Sequence, residues 1–115
     1  MNQKNNLLRF DAFSLSLDVI RLLRPLMTAL RSHDRSLEKQ LRDAASSVSL
    51  NVAESRGRNG KDKIHFLRIA LGSAEESAAS LYVAEAWGYL SAEQTQPSKD
   101  KLNHLLAVLG KLTRP

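Results

Sequence analysis

Apolar residues recur with helical spacing along four stretches of the chain. Between Asp11 and Ser32, the residues Phe13, Leu17, Ile20, Leu23, Met27 and Leu30 fall on one line. Ala12, Leu15, Val19, Leu22, Leu26 and Ala29 fall on a second line beside it. Together they form a face wider than the seam of a two-stranded coiled coil, so this helix should touch more than one neighbour. Pro25 sits in its middle, and because the pattern continues on both sides it predicts a kink rather than a stop. Polar N-cap candidates from Ser32 to Ser36 precede a second helix, from about Leu37 to Arg56. Leu37, Leu41, Ala44 or Ala45, Val48 and Val52 line its inner face. The run Ala44-Ala45-Ser46-Ser47-Val48-Ser49 is small enough for a tight helix–helix contact.

Arg56-Gly57-Arg58-Asn59-Gly60 is the clearest join, since Gly57 and Gly60 suit a C-cap and a turn and Asn59 tolerates positive φ. The third and longest helix then runs from about Lys61 to Leu90, with Asp62 as its cap or first-turn acid. Ile64, Phe66, Leu67, Ile69, Ala70, Leu71, Ala74, Ala78, Leu81, Tyr82, Ala86 and Trp87 cover much of its circumference. A helix this apolar is central in the bundle, or packs in the bundle and in an oligomer interface together. Ser91-Ala92-Glu93-Gln94 reads as a capping box for a fourth helix, and Pro97-Ser98 offers a competing later start. From either, Leu102, Leu105, Leu106, Leu109 and Leu112 carry the pattern to the C-terminus. Short joins favour antiparallel neighbours, so residues 1–115 should form one all-α domain, an antiparallel up-down four-helix bundle.

Composition agrees: 43% hydrophobic and 25% charged residues are globular proportions, and 5% aromatic content leans towards helix. The absence of cysteine excludes disulfides, thiolate zinc sites and a cysteine nucleophile, and fits a reducing compartment. The polar N-terminus, Met1 to Phe10, lacks the apolar core of a signal peptide. The longest apolar run, Leu105 to Leu109, is far short of the roughly 20 residues of a membrane span. A soluble cytoplasmic protein that engages no membrane is expected.

Charge sharpens the picture. The net charge is +5, and between Arg56 and Arg68 five cations (Arg56, Arg58, Lys61, Lys63 and Arg68) face only Asp62. From Ile69 to Gln96 there is no lysine or arginine, while Glu75, Glu76, Glu85 and Glu93 are acidic. This asymmetry biases one part of the molecule towards polyanions, and makes Arg56, Arg58, Lys61, Lys63 and Arg68 candidate phosphate contacts. The competing reading is a solvated basic turn. With no ring interleaved except Phe66, which the helical pattern wants in the core, base stacking is not expected.

Catalytic chemistry finds little support. Of the three histidines, only His65 has an acid three residues before it, Asp62, and paired Glu-x-x-His motifs are what a di-metal bundle needs. There is no phosphate-binding glycine loop, zinc-protease motif or nucleophile elbow. No metal, no cofactor, no small-molecule substrate and no enzymatic activity are expected.

Polar residues set among apolar ones are more informative. Ser47, Asn51 and Glu54 stand at i, i+4 and i+7 on the second helix, and Ser73 and Glu76 at i and i+3 on the third, beside Gly72. Brought together, they would form a buried polar network that fixes helix register, with Glu54 or Glu76 meeting Arg58 or Arg68. Gly72 would let another backbone come near.

The same residues carry a family resemblance. Ala45-x-Ser47-Val48-x-x-Asn51-Val52-Ala53-Glu54-x-x-x-Arg58, followed by Phe66-Leu67-x-Ile69-Ala70-x-Gly72-Ser73-x-x-Glu76, resembles the paired signature of the four-helix-bundle protein family. That family includes products of reading frames within intervening sequences of bacterial large-subunit ribosomal RNA. It is similar also to the accessory variability determinant proteins of diversity-generating retroelements. Ser55 departs from the pattern, which has glycine directly after the glutamate, and extends the second helix slightly. The resemblance implies an up-down bundle, assembly into a homopentamer, a basic surface, and association with RNA or a nucleoprotein. It brings no catalytic residues. A protein-interaction scaffold without nucleic-acid binding is the alternative.

Overall fold

A computed structural model describes residues 3–114, with side chains from residue 7 onward. It contains four helices, α1 (Gln3–His33), α2 (Arg35–Ser55), α3 (Gly60–Ala86) and α4 (Ala92–Thr113), and no strand among the described residues. Each helix packs on two neighbours in the cyclic order α1, α2, α3, α4, with α2 against α3 the most extensive contact. The result is an up-down four-helix bundle, 45 Å long and about 22 Å across.

Local hydrogen bonding decides where the helices start and stop. Between α1 and α2 the only non-helical residue is Asp34, whose extended backbone and carboxylate, accepting from Leu37 N at 2.9 Å, make it the N-cap of α2. At α4 the capping box forms: Ser91 Oγ accepts from Gln94 N at 3.1 Å, and Gln94 Oε1 accepts from Ser91 N at 2.9 Å. The earlier of the two predicted starts is therefore the real one. Pro97 then lies inside α4.

Two boundaries differ from expectation. α3 ends at Ala86 rather than Leu90, because Gly88 takes φ 78° and closes a Schellman motif. Gly88 N donates to Glu85 O at 2.9 Å and Tyr89 N to Ala84 O at 2.9 Å, which satisfies the last carbonyls and turns the chain out of the helix. α1 begins well before Asp11. Leu8 packs against the core and Arg9 is buried, so the inward stripe of Ala12, Leu15, Val19, Leu23 and Leu30 extends one further turn. That stripe crosses both predicted lines, drawing on each in turn as a 3.6-residue period requires. α1 is continuous through Pro25, which stands exposed.

The interior is filled by leucine, valine and alanine, with Leu41, Leu67, Leu81, Leu102, Leu105 and Leu109 among the fully buried side chains. The small run of α2 is seated as predicted, with Ala44, Ala45, Val48 and Ser49 buried. Several buried hydroxyls find acceptors nearby, although Ser98 Oγ finds none among the described residues. Ser55 and Ser77 donate to carbonyls three or four residues back, and Ser49 donates to Ser16 across the α1–α2 contact at 2.8 Å.

Candidate nucleic-acid interface

The basic segment is divided by the fold. Residues 56–59 make the turn between α2 and α3, and the left-handed conformation there falls on Gly60 (φ 57°), not on Asn59 or Gly57. Arg58 is turned back on its own carboxylates: its Nη2 lies 2.6 Å from Glu54 Oε1, Nη1 lies 3.8 Å from Asp62, and the guanidinium sits over the Phe66 ring. The hydrogen bond to Glu54 holds Arg58 still more firmly protonated. Arg56 stands exposed in the turn.

Lys61, Lys63 and Arg68 instead line one cavity, of about 670 Å³, with Gly60, Ile64, Leu67, Leu112 and Arg9. Helical spacing explains the grouping, since Lys61, Ile64 and Arg68 stand at i, i+3 and i+7 on α3. Arg9 enters from the first turns of α1. Among the described residues, no carboxylate lines it. Asn59, the N-cap of α3, makes no side-chain cap bond, and Asp62 is the acid in the first turn of that helix. Burial holds the Lys63 ammonium below the usual lysine range, and the charge of Arg9 lowers it further.

Sequence reasoning missed Arg9. The signal was its place three residues before Ala12 on the inward stripe, where a long aliphatic stem can lie on the core; its Nε and Nη1 are buried with it.

The polar residues of α2 and α3 are brought together only in part. The Ser47 and Ser73 hydroxyls are 2.8 Å apart, and Asn51 Nδ2 donates to Ser47 O at 2.8 Å and to Ser47 Oγ at 3.0 Å. These three residues are half-buried. Glu54 and Glu76 are exposed, which corrects the expectation that both are buried: Glu54 pairs with Arg58, and Glu76 accepts from Gln40 Nε2 at 3.1 Å. Each lies beyond the serine contact towards the C-terminus of its own helix, Glu54 two turns from Ser47 and Glu76 one turn from Ser73, where the long carboxylate reaches water. Gly72 is also exposed, and a Cβ there would meet nothing within 4 Å, so it mediates no close approach among the described residues. Among the described residues no three potential metal ligands converge, and no helix is long and apolar enough to cross a membrane.

The profile of the family described as 23S rRNA-intervening sequence protein matches residues 5–111. The chain belongs to that family. A solved structure from Bacteroides thetaiotaomicron, a protein of unknown function from the S23 ribosomal protein family, superimposes with a TM-score of 0.80. The two are 21% identical over 90% of this chain and 99% of that one, a likeness of fold. No curated protein matches. Neither this family nor the structural neighbour is described as an enzyme. The Ser47–Ser73 contact lies where the two halves of the intervening-sequence signature meet, one on α2 and one on α3.

Proposed function

We propose that this chain is a non-enzymatic basic bundle that binds RNA, or a nucleoprotein through its RNA. One observation carries the reading: Arg9, Lys61, Lys63 and Arg68 gather from two helices around one cavity, with no acid among the described residues that line it. Crowding like charges raises the energy of the free protein, and a polyanion that displaces its own counterions relieves it. Phosphate contacts of this kind give affinity without reading base sequence. The family description, which names ribosomal RNA intervening sequences, supports RNA as the polyanion. Cytoplasmic action suits a chain without cysteine.

The reading includes self-assembly. Leu7, Phe10 and Leu50 are each more than 60% exposed, and the Ser16–Ser49 bond sets Leu50 level with the N-terminal half of α1. Apolar surface of this kind suits a subunit contact. The family resemblance sets the number at five. A ring would repeat the basic cavity around one axis, and linked sites raise avidity by roughly 10²–10⁴-fold when geometry allows them to act together.

Gel shifts with structured RNA across a salt series test the reading. Binding should be tightest at low salt and fall steeply as salt rises. Replacing Lys61, Lys63 and Arg68 together with Gln should weaken it and flatten the slope of log affinity against log salt by about 2–3. Replacing Arg56 and Arg58, both outside the cavity, should matter less. Undiminished binding by the triple variant would make the cavity a solvated bundle end and favour a protein-interaction scaffold.

A further inference from the structure

At the end of the bundle away from the basic cavity, three aromatic rings lie nearly parallel. His33 and Tyr89 stack with centroids 5.1 Å apart and planes 12° apart, and Trp87 and Tyr89 with centroids 6.3 Å apart and planes 15° apart. The backbone fixes this arrangement. Trp87 is the C-cap of α3, Tyr89 follows the left-handed Gly88, and His33 is the last residue of α1. Trp87, the only tryptophan, is 69% exposed and His33 is exposed as well. The fold therefore spends its largest ring on a rigid, open face rather than in its core.

Charge of both signs stands near the rings in the chain: Asp34 is next to His33, and Glu85, paired with Lys99, is two residues before Trp87. Arg31 and Arg35 stand two residues to either side of His33, and with Lys39 and Arg42 they border a cleft of about 290 Å³. Glu38, which is buried, is shared by Arg31 at 3.1 Å and Arg42 at 3.5 Å, and Lys39 pairs with Asp43 at 2.6 Å, so these acids offset only part of that charge. Arg35 makes no ion pair among the described residues. Interfaces between proteins exclude charge from their apolar centre, whereas near-parallel rings bordered by arginines suit unpaired bases and the phosphates between them.

We propose that the Trp87–Tyr89–His33 row is a stacking platform for unpaired bases of a single-stranded RNA segment, whose phosphates run into the Arg31–Arg35 cleft. This rests on the RNA reading above, and adds base contacts at the end of the molecule opposite the phosphate-gripping cavity.

Because Trp87 is the sole tryptophan, its emission reports directly on the site. Purified protein is titrated at low salt with a short oligoadenylate and with an abasic phosphodiester of equal length. Oligoadenylate should quench Trp87 and bind roughly tenfold tighter than the abasic chain, the scale of a stacked base. Trp87→Ala and His33→Ala, followed by anisotropy of labelled oligomers, should remove most of that difference and leave abasic binding unchanged. Equal binding of the two oligomers without quenching would overturn the platform while leaving the phosphate reading intact. A fall in particle mass for Trp87→Phe or Trp87→Ala in light scattering would also overturn it, by making the rings a subunit contact. The titration of the parent protein decides even if a variant fails to fold.

Discussion

Serine sets the fine structure of this interior. A hydroxyl that returns to a carbonyl of its own helix occupies little space and leaves no unmet donor, as Ser55 and Ser77 do. Ser47 and Ser73 differ, because their hydroxyls meet across α2 and α3. A double-mutant cycle of Ser47→Ala and Ser73→Ala, followed by urea unfolding, should give a coupling of about 0.5–1.5 kcal/mol. Glu54→Ala, by contrast, should hardly alter stability, because the carboxylate is exposed and its partner Arg58 stays in water. The pair of Lys99 and Glu85 is better shielded: Nζ lies 2.8 Å from Oε2 and 4.5 Å from the Tyr82 ring, with side chains 9% and 18% exposed. The hydrogen bond from Lys99, aided by Thr95, holds Glu85 below the usual carboxylate range. Its contribution is therefore complete above the unfolded carboxylate pKa of about 4.3 and is lost as pH falls through the lower folded value. Thermal melts should show that Glu85→Gln lowers Tm at pH 7, and that its deficit against the parent shrinks below pH ~4.

At the scale of the element, the joins carry the topology. One residue turns α1 into α2, and a capping box starts α4 four residues after the Schellman motif begins to close α3. Gly88 and Gly72 make opposite demands. Gly88→Ala forces a side chain into φ 78° and should cost about 1–2 kcal/mol in urea unfolding. Gly72 lies mid-helix with open space where a Cβ would stand, so Gly72→Ala should add about 1 kcal/mol through helix propensity alone. A loss at Gly72 instead would mean that a backbone from another subunit passes there.

At the scale of the whole molecule, charge and apolar surface are sorted by position. The basic cavity occupies the end formed by the start of α1 and of α3, and the aromatic row occupies the opposite end. Leu7, Phe10 and Leu50 lie on the outer surface of α1 and α2. If these residues join subunits, Leu7→Gln, Phe10→Gln and Leu50→Gln together should lower the mass found by light scattering while circular dichroism stays helical. An unchanged mass would place the subunit contact on other surfaces.

The sequence alone determined four helices, their inward residues and most of their joins, because burial requires a 3.6-residue apolar period and capping is local chemistry. It also marked Arg56, Arg58, Lys61, Lys63 and Arg68 as one run of cations, since charge density is legible in a linear string. The end of α3 was legible too, in Gly88, but the apolar residues beyond it masked the stop. Tertiary structure decided the rest. Arg9 meets the α3 lysines only because α1 and α3 begin at the same end of the bundle. Arg58 leaves the basic group because Glu54 and Asp62 lie within its reach. Glu54 and Glu76 face water although each stands in register with a half-buried serine; spacing on either helix does not reveal how far the contact between them reaches. His33 and Tyr89, more than fifty residues apart in the chain, stack because the up-down path returns α3 to the end where α1 stops. Periodicity specifies which face of a helix turns inward; only packing specifies what that face, and the ends beside it, will meet.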